Sequence, residues 1–123
     1  MQIKSISVLL LIYNLIFVTP AISGNFVSGM EDVPLMSGMQ QITQDDISFG
    51  NEEVRLLEAY FTAKKLSFKQ ICNFYKESLP QLGWIYQGNR ENSAVFYREG
   101  ETLDVVRESV SPLVVRITVK SKP

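Results

Sequence analysis

The chain has 123 residues, of which 46% are hydrophobic and 20% are charged, so it is long enough for one small globular domain. Its formal net charge of −1 excludes the strongly basic surface that nucleic-acid-binding proteins carry. It contains no histidine and one cysteine, which removes the commonest general base, most zinc sites and any internal disulfide.

Residues 1–23 have the three-part pattern of a secretory signal peptide. Lys4 gives the N-terminal region its positive charge, and an apolar run follows. The pattern predicts cleavage between Ser23 and Gly24. We therefore expect an exported protein that acts in the periplasm of a bacterial envelope. The alternative is an uncleaved membrane anchor, and the protein would then contact the membrane only through this segment. The apolar run is shorter than the ~20 residues that a spanning helix needs, which favours cleavage.

Residues 24–53 are predicted to form an acidic, extended arm. They contain six acidic residues, no basic residue and several glycines. Because no hydrophobic period is sustained in this stretch, we expect a loop with at most a short turn. Residues 54–123 are mildly basic and carry regular patterns, so we expect them to form a single α+β domain.

The clearest pattern in this domain predicts a helix that begins after Ser67. Ser67 and Gln70 have the spacing of a capping box, apolar residues recur at helical period, and Pro80 ends the helix. Alternation of apolar and polar residues predicts one strand before the helix and about four after it. The predicted fold class is α+β, with one helix packed on a four- to five-stranded, mainly antiparallel sheet in the order β-α-β-β-β-β. The strands are expected in the stretches Leu57–Ala63, Trp84–Gln87, Ala94–Arg98, Thr102–Glu108 and Leu113–Lys120.

Three phrases carry a resemblance to a known group of proteins. They are DVPLMSGM at 32–39, FYKESLPQLGW at 74–84 and FYREGETL at 96–103, and they occur in this order. In these phrases the chain resembles a family of small exported proteins of alphaproteobacteria, rickettsiae included, that has no established activity. The resemblance extends over about residues 31–120. It implies export and a compact fold, and it supplies no catalytic residue.

Three methionines of the arm are weak candidates for a metal site. Met30, Met36 and Met39 lie within ten residues, and thioether sulfur is a soft ligand that suits Cu(I). No histidine completes such a site, and methionine is also a flexible apolar residue of docking surfaces. We therefore predict no cofactor and keep copper handling as an alternative function.

The same arm is the predicted docking segment for a partner. The stretch from Val33 to Met36 contains Pro34 and favours an extended conformation, which could add to a sheet edge or lie in a groove. We expect Val33, Leu35, Met36 and Met39 to contact an envelope protein.

Other chemistry-bearing residues have simpler interpretations. Cys72 lies on the apolar helix face and is expected in the core, because no histidine could activate it. Glu99, Glu101 and Asp104 lie at or near a hairpin turn, which offers no cleft for a pair of catalytic acids.

A second acidic group lies in the arm, where Asp45 and Asp46 precede Glu52 and Glu53. Their spacing does not match a calcium-binding EF-hand loop, so we expect solvated charges.

Four aromatic residues fall on adjacent predicted strands. Trp84, Tyr86, Phe96 and Tyr97 could form a stacking platform for a sugar or a peptide. Neighbouring strand residues point to opposite faces, so Trp84 and Ile85 cannot both be buried, and we expect Trp84 to lie under the end of the helix. Taken with the missing histidine, these patterns favour a non-catalytic envelope module that binds a protein or is structural, rather than an enzyme.

Overall fold

The structure, a computed structural model, describes the backbone of residues 25–50 and 55–121, and the side chains of all of these except 43–50. The predicted signal segment and its cleavage site at Ser23–Gly24 lie outside the described residues. Among the residues that are described, no helix is long and apolar enough to span a membrane.

Eight strands, one α-helix and one 3₁₀ turn follow each other along the described chain. Their bounds are β1 (Phe26–Val27), β2 (Met30–Pro34), β3 (Gln40–Gly50), β4 (Arg55–Thr62), α1 (Phe68–Ser78), the 3₁₀ turn (Leu79–Leu82), β5 (Ile85–Arg90), β6 (Ser93–Arg98), β7 (Glu101–Ser109) and β8 (Val114–Ser121).

Six of these strands form one antiparallel sheet. Their order across the sheet is β3-β4-β8-β7-β6-β5, and β1 and β2 form a separate hairpin. The connection through α1 therefore leads from β4, near one edge, to β5 at the other edge. The predicted α+β class is confirmed, but the predicted sheet of four to five strands is wrong, because the described sheet has six. The predicted order β-α-β-β-β-β is also wrong, because four described strands, and not one, precede the helix.

The additional strands come from the stretch that was expected to be loop. Residues 25–50 contain β1, β2 and β3. Glycines and polar residues hide the alternation in this part of the sequence. Strand β3 nevertheless forms, because its backbone pairs with that of β4. The register pairs extend from Gln40–Thr62 to Gly50–Arg55. Backbone pairing of this kind depends little on the side-chain pattern at a sheet edge.

Helix α1 begins as the capping box predicts. The Gln70 backbone N–H donates to Ser67 Oγ over 3.1 Å, and the Ser67 backbone N–H donates to Gln70 Oε1 over 2.8 Å. These two bonds satisfy donors that the first helical turn leaves without intrahelical partners. After Ser78 the chain tightens into the 3₁₀ turn, which contains Pro80.

Alternate residues of the sheet form one core with the helix and the hairpin. In β8 the buried apolar residues are Val115, Ile117 and Val119, as the alternation predicts. The core also contains apolar side chains from the hairpin, the helix, the 3₁₀ turn, other strands and the connecting segments: Val27, Met30, Val33, Met39, Ala59, Phe61, Ala63, Ile71, Cys72, Tyr75, Leu79, Trp84, Ala94, Phe96, Leu103 and Val105. The remaining alternate residues of the sheet form its opposite side, called the outer face below.

The hairpin is tied to the helix through Tyr75. The Tyr75 hydroxyl donates to the Pro34 carbonyl oxygen over 2.7 Å, and both residues are buried. Burial also raises the pKa of Tyr75 far above its ordinary value, so the hydroxyl keeps its proton and remains a donor. The β1–β2 hairpin is thus part of the packed molecule.

Candidate binding surface

Strand β5 forms one edge of the six-stranded sheet. Its β6 side is paired, and its other side has no neighbouring strand among residues 25–50 and 55–121. An edge strand of this kind presents backbone N–H and C=O groups that another chain can pair with. This edge is therefore where an extended polypeptide could join the sheet.

The turn into β5 decides which side chains face outward. Gly83 adopts a φ of 92°, and the Trp84 backbone N–H donates to the Leu79 carbonyl over 3.1 Å. Trp84 is then 1% exposed, whereas Ile85 is 60% exposed. The prediction that these two residues point to opposite faces is confirmed. The buried indole fixes Ile85 on the outer face.

An apolar patch and a groove lie together at this edge. Ile85 is directly opposite Tyr97 of β6, and Tyr97 is 39% exposed. Directly opposite residues share a face with their Cβ atoms about 5 Å apart, so these two side chains form one patch. A groove of about 460 Å³ lies beside Tyr97. We call the patch and this groove the edge surface; the groove is lined by Gln87, Gly88, Asn89, Arg90, Val95, Phe96, Tyr97 and Thr102.

Local contacts hold the side chains around the edge surface. The Tyr86 hydroxyl donates to Asn89 Oδ1 over 2.5 Å, and the Tyr86 ring lies 5.5 Å from the Phe96 ring. Lys76 Nζ lies 4.9 Å from the centre of the Tyr86 ring. On the outer face, the Tyr97 hydroxyl accepts a hydrogen bond from the Gly100 N–H over 3.1 Å. The surface is therefore largely formed before any partner binds.

The four aromatics do not form a single platform. Trp84 and Phe96 are buried, and Tyr86 lies opposite Phe96 on the core side of the sheet. Tyr97 points to the outer face, where its apolar neighbour is Ile85. The sequence identified Tyr97 but not Ile85 as a surface residue, although the alternation with Trp84 carries that signal.

The three carboxylates near the β6–β7 turn do not converge. Glu101 is bonded to Arg55 over 2.9 Å and to Arg98 over 3.3 Å on the core side. Asp104 lies on the outer face, where burial raises the pKa of its carboxyl although Arg116 opposes the rise. Glu99 is exposed in the turn itself. This arrangement does not provide the facing pair of acids that glycoside hydrolysis requires.

The three methionines are apolar packing residues in this structure. Met30 is 2% exposed and Met39 is 5% exposed, and both belong to the core, while Met36 packs against it. Met39 Sδ is 3.9 Å from the hydroxyl oxygen of Tyr75. Copper binding by all three sulfur atoms would require Met30 and Met39 to leave the core.

The predicted docking residues are divided between core and surface. Val33 is completely buried and Met39 is nearly so, because the arm packs on its own domain. Leu35 and Met36 are half-buried and pack against the same core. In this conformation, then, Val33 and Met39 are not accessible to a partner.

Other candidates are either buried or outside the described part. Cys72 is buried, as predicted, and burial raises the pKa of its thiol although Lys76 lowers it. It therefore lacks the lowered pKa of a nucleophilic cysteine. The side chains of Asp45 and Asp46, and the whole of Glu52 and Glu53, lie outside the described residues. In the part of the chain that is described, no three acidic or cysteine residues cluster as a metal site.

The sequence also gives no sign of the polar cluster around Arg98, which lies next to the buried Trp84. Arg98 bonds to Asp32 of the hairpin, and its guanidinium lies 4.2 Å from the centre of the Trp84 ring. Asp32 and Arg98 are far apart in the chain, so no local spacing indicates their contact. This cluster anchors the hairpin next to the turn that leads into β5.

Comparison with known proteins adds no relative, because the chain matches no protein-family model, no curated protein and no solved structure.

Proposed function

We propose that this protein is a non-catalytic binding module that is exported to the bacterial periplasm and captures an extended segment of another envelope protein at the edge surface. The observation that carries the proposal is the pairing of Ile85 with Tyr97, two exposed apolar side chains beside an unpaired strand edge. Export is supported by the signal-peptide pattern of residues 1–23 and by the resemblance to small exported proteins of alphaproteobacteria.

The geometry suits the addition of a strand to β5. In this mode of recognition, backbone hydrogen bonds supply affinity and alternate side chains of the bound segment supply specificity. The Ile85–Tyr97 patch would accept an apolar side chain, and the groove would accept a neighbouring one. Arg90 is exposed at the end of β5 and would favour a carboxylate at the corresponding end of the segment.

This proposal moves the binding surface away from the arm. Burial of Val33 and Met39 removes half of the docking residues that the sequence predicts. Burial of Met30 and Met39 likewise weighs against copper handling. Because Glu101 is held by two arginines and Asp104 lies on the other face, the acids give no support to an enzymatic role.

Site-specific photocrosslinking in living cells tests the proposal. A photoreactive phenylalanine analogue replaces Ile85 in one strain and the exposed helix residue Asn73 in a control strain. We expect an adduct with one partner protein from position 85 and none from position 73. We further expect the adduct in the periplasmic fraction, with a chain that begins at Gly24.

Two further observations distinguish strand addition from chance contact. The double variant Ile85→Ser/Tyr97→Ser, crosslinked from position 87, should lose the adduct, and exchange of the β5 amide hydrogens should slow when the partner is bound. Equal adducts from positions 73 and 85, or an adduct that survives the double substitution, would contradict the proposal.

A further inference from the structure

Two loops lie side by side at the end of the sheet that is remote from Ile85. Residues 63–67 connect β4 to α1, and residues 110–113 connect β7 to β8. Thr62 and Val114 are register partners, and the Ala63 N–H donates to the Leu113 carbonyl over 3.4 Å. We call these two loops, together with Lys69 in the first turn of α1, the basic end.

The charged residues of the basic end are all positive. Lys64, Lys65 and Lys69 are all exposed, and neither loop contains an acidic residue. Of the neighbouring groups, Arg107 lies over the Phe68 ring and adds a further positive charge.

Two carboxylates lie close to the basic end without neutralising it. Glu108 is bonded to Arg116 over 2.5 Å, and Arg116 also contacts Glu58 over 3.7 Å, so Arg116 balances part of the charge of both Glu108 and Glu58. Glu91 is in the adjacent β5–β6 turn, next to Asn92, whose carbonyl accepts the Arg107 N–H. The basic end therefore keeps an excess of positive charge over negative charge.

An exposed apolar group accompanies these charges. Val110, in the second loop, is 69% exposed, the highest value among the large apolar side chains of the described residues. Val110 lines a cavity of about 460 Å³ together with Ala63, Leu66, Pro112 and Leu113 and with neighbouring polar residues. Helices that lie on membranes combine the same two components, basic residues for the headgroups and apolar side chains for the lipid boundary.

We propose that the basic end binds the surface of an anionic phospholipid bilayer, with the lysine ammonium groups on lipid phosphates and Val110 in the apolar boundary. A bilayer suits this surface better than an acidic polypeptide, because Val110 projects outward and a fluid boundary accepts it without a matching pocket. The basic end and the edge surface share no residue, so this inference does not depend on the proposed function.

Vesicle binding by the full chain tests this inference. Binding is compared between vesicles of phosphatidylcholine alone and vesicles that also contain phosphatidylglycerol. We expect preferential binding to the anionic vesicles, and loss of that preference at about 1 M salt, where the screening length is about 3 Å. Any insertion of residues 1–23 would be common to all variants of the chain.

Substitutions assign the preference to the basic end. Each juxtamembrane lysine contributes a factor of about five in affinity, so Lys64→Gln/Lys65→Gln should weaken binding to anionic vesicles by about thirtyfold. The single variant Lys65→Gln should weaken it about fivefold. The matched control Lys120→Gln removes an exposed lysine at the other end of the sheet and should leave the affinity unchanged.

The position of Val110 in the complex distinguishes a bilayer from other acidic surfaces. In a Val110→Trp variant, the new indole should shift its emission to the blue on anionic vesicles and be quenched by brominated lipid, whereas the buried Trp84 should not respond. A lysine-dependent interaction in which the residue at 110 stays in water would assign the surface to an acidic polymer and overturn the inference. Equal loss of affinity in Lys65→Gln and Lys120→Gln would also overturn it.

Discussion

Arg98 joins parts of the chain that are far apart in the sequence. Its guanidinium donates to the Leu82 carbonyl over 3.1 Å, bonds to Asp32 and Glu101, and lies over the Trp84 ring. Burial alone would lower its pKa, but the hydrogen bonds and charges of the two acids outweigh burial and raise it above its ordinary value. The charge is therefore permanent, and it is shared among the hairpin, the 3₁₀ turn and β7.

Replacement of Arg98 should destabilise the protein strongly. We expect Arg98→Ala to lower the free energy of unfolding by about 3 kcal/mol, because Asp32 and Glu101 lose a shared, partly buried partner. Urea denaturation measures the change. Arg98→Lys should recover only part of the loss, because an ammonium group cannot make the planar contacts of a guanidinium. The control Lys120→Ala should change stability by less than about 0.5 kcal/mol, and an equal effect of the two alanine variants would contradict this account.

At the scale of elements, the hairpin β1–β2 depends on α1. Its apolar residues Val27, Met30 and Val33 are buried, and an isolated two-stranded hairpin is at best marginally stable in water. The Tyr75 hydroxyl provides a directed bond between the two elements through the Pro34 carbonyl.

Removal of the buried Tyr75 hydroxyl should lower the stability of the protein more than removal of an exposed hydroxyl would. In Tyr75→Phe, the buried Pro34 carbonyl loses this donor, so we expect the free energy of unfolding to fall by about 1–3 kcal/mol. Chemical denaturation gives the value. Tyr97→Phe is the matched control: its hydroxyl accepts from the exposed Gly100 N–H, which can bond to water instead, so stability should change by less than about 0.5 kcal/mol. A change of similar size in both variants would show that the bond to Pro34 is unimportant.

The elements differ in how far their sequences determine them. Ser67 and Gln70 mark the start of α1, and the alternation of Val115, Ile117 and Val119 marks β8, because in both cases the local pattern agrees with the packing. Strand β3 is different, since it forms by antiparallel pairing with the next strand, β4, and its own sequence shows no sustained apolar alternation. Two of the predicted docking residues, Val33 and Met39, have an apolar character that this structure explains by burial in the core.

At the scale of the whole molecule, the basic end and the Ile85–Tyr97 patch lie at opposite ends of the sheet, and the groove of the edge surface extends from that patch along β5 towards Arg90. Strand β7 has nine residues, and at about 3.3 Å per residue it separates its ends by about 30 Å. A molecule that rests on a bilayer through Lys64, Lys65 and Val110 would therefore hold Ile85 and Tyr97 away from the lipid. The end of the partner segment that contacts Ile85 and Tyr97 would be bound at a distance from the membrane surface.

The last strand completes the whole sheet. Strand β8 lies between β4 and β7, and it is the element through which the two halves of the sheet meet. We expect a chain that ends at Leu113 to show no cooperative thermal transition, because three core residues are removed and β4 loses its central neighbour. Circular dichroism during heating tests this. A chain that ends at Ser121 is the control and should unfold cooperatively, and a cooperative transition in the shorter chain would refute the central role of β8.

The position of β8 also governs when the protein can acquire its shape during synthesis. The ribosome makes residues 114–121 after all the other described strands. Until these residues emerge, no strand pairing joins β3–β4 to β5–β7. Completion of the sheet therefore waits for synthesis of residues 114–121. If the chain is exported as we propose, this delay would help to keep it extended enough to pass through a narrow membrane channel.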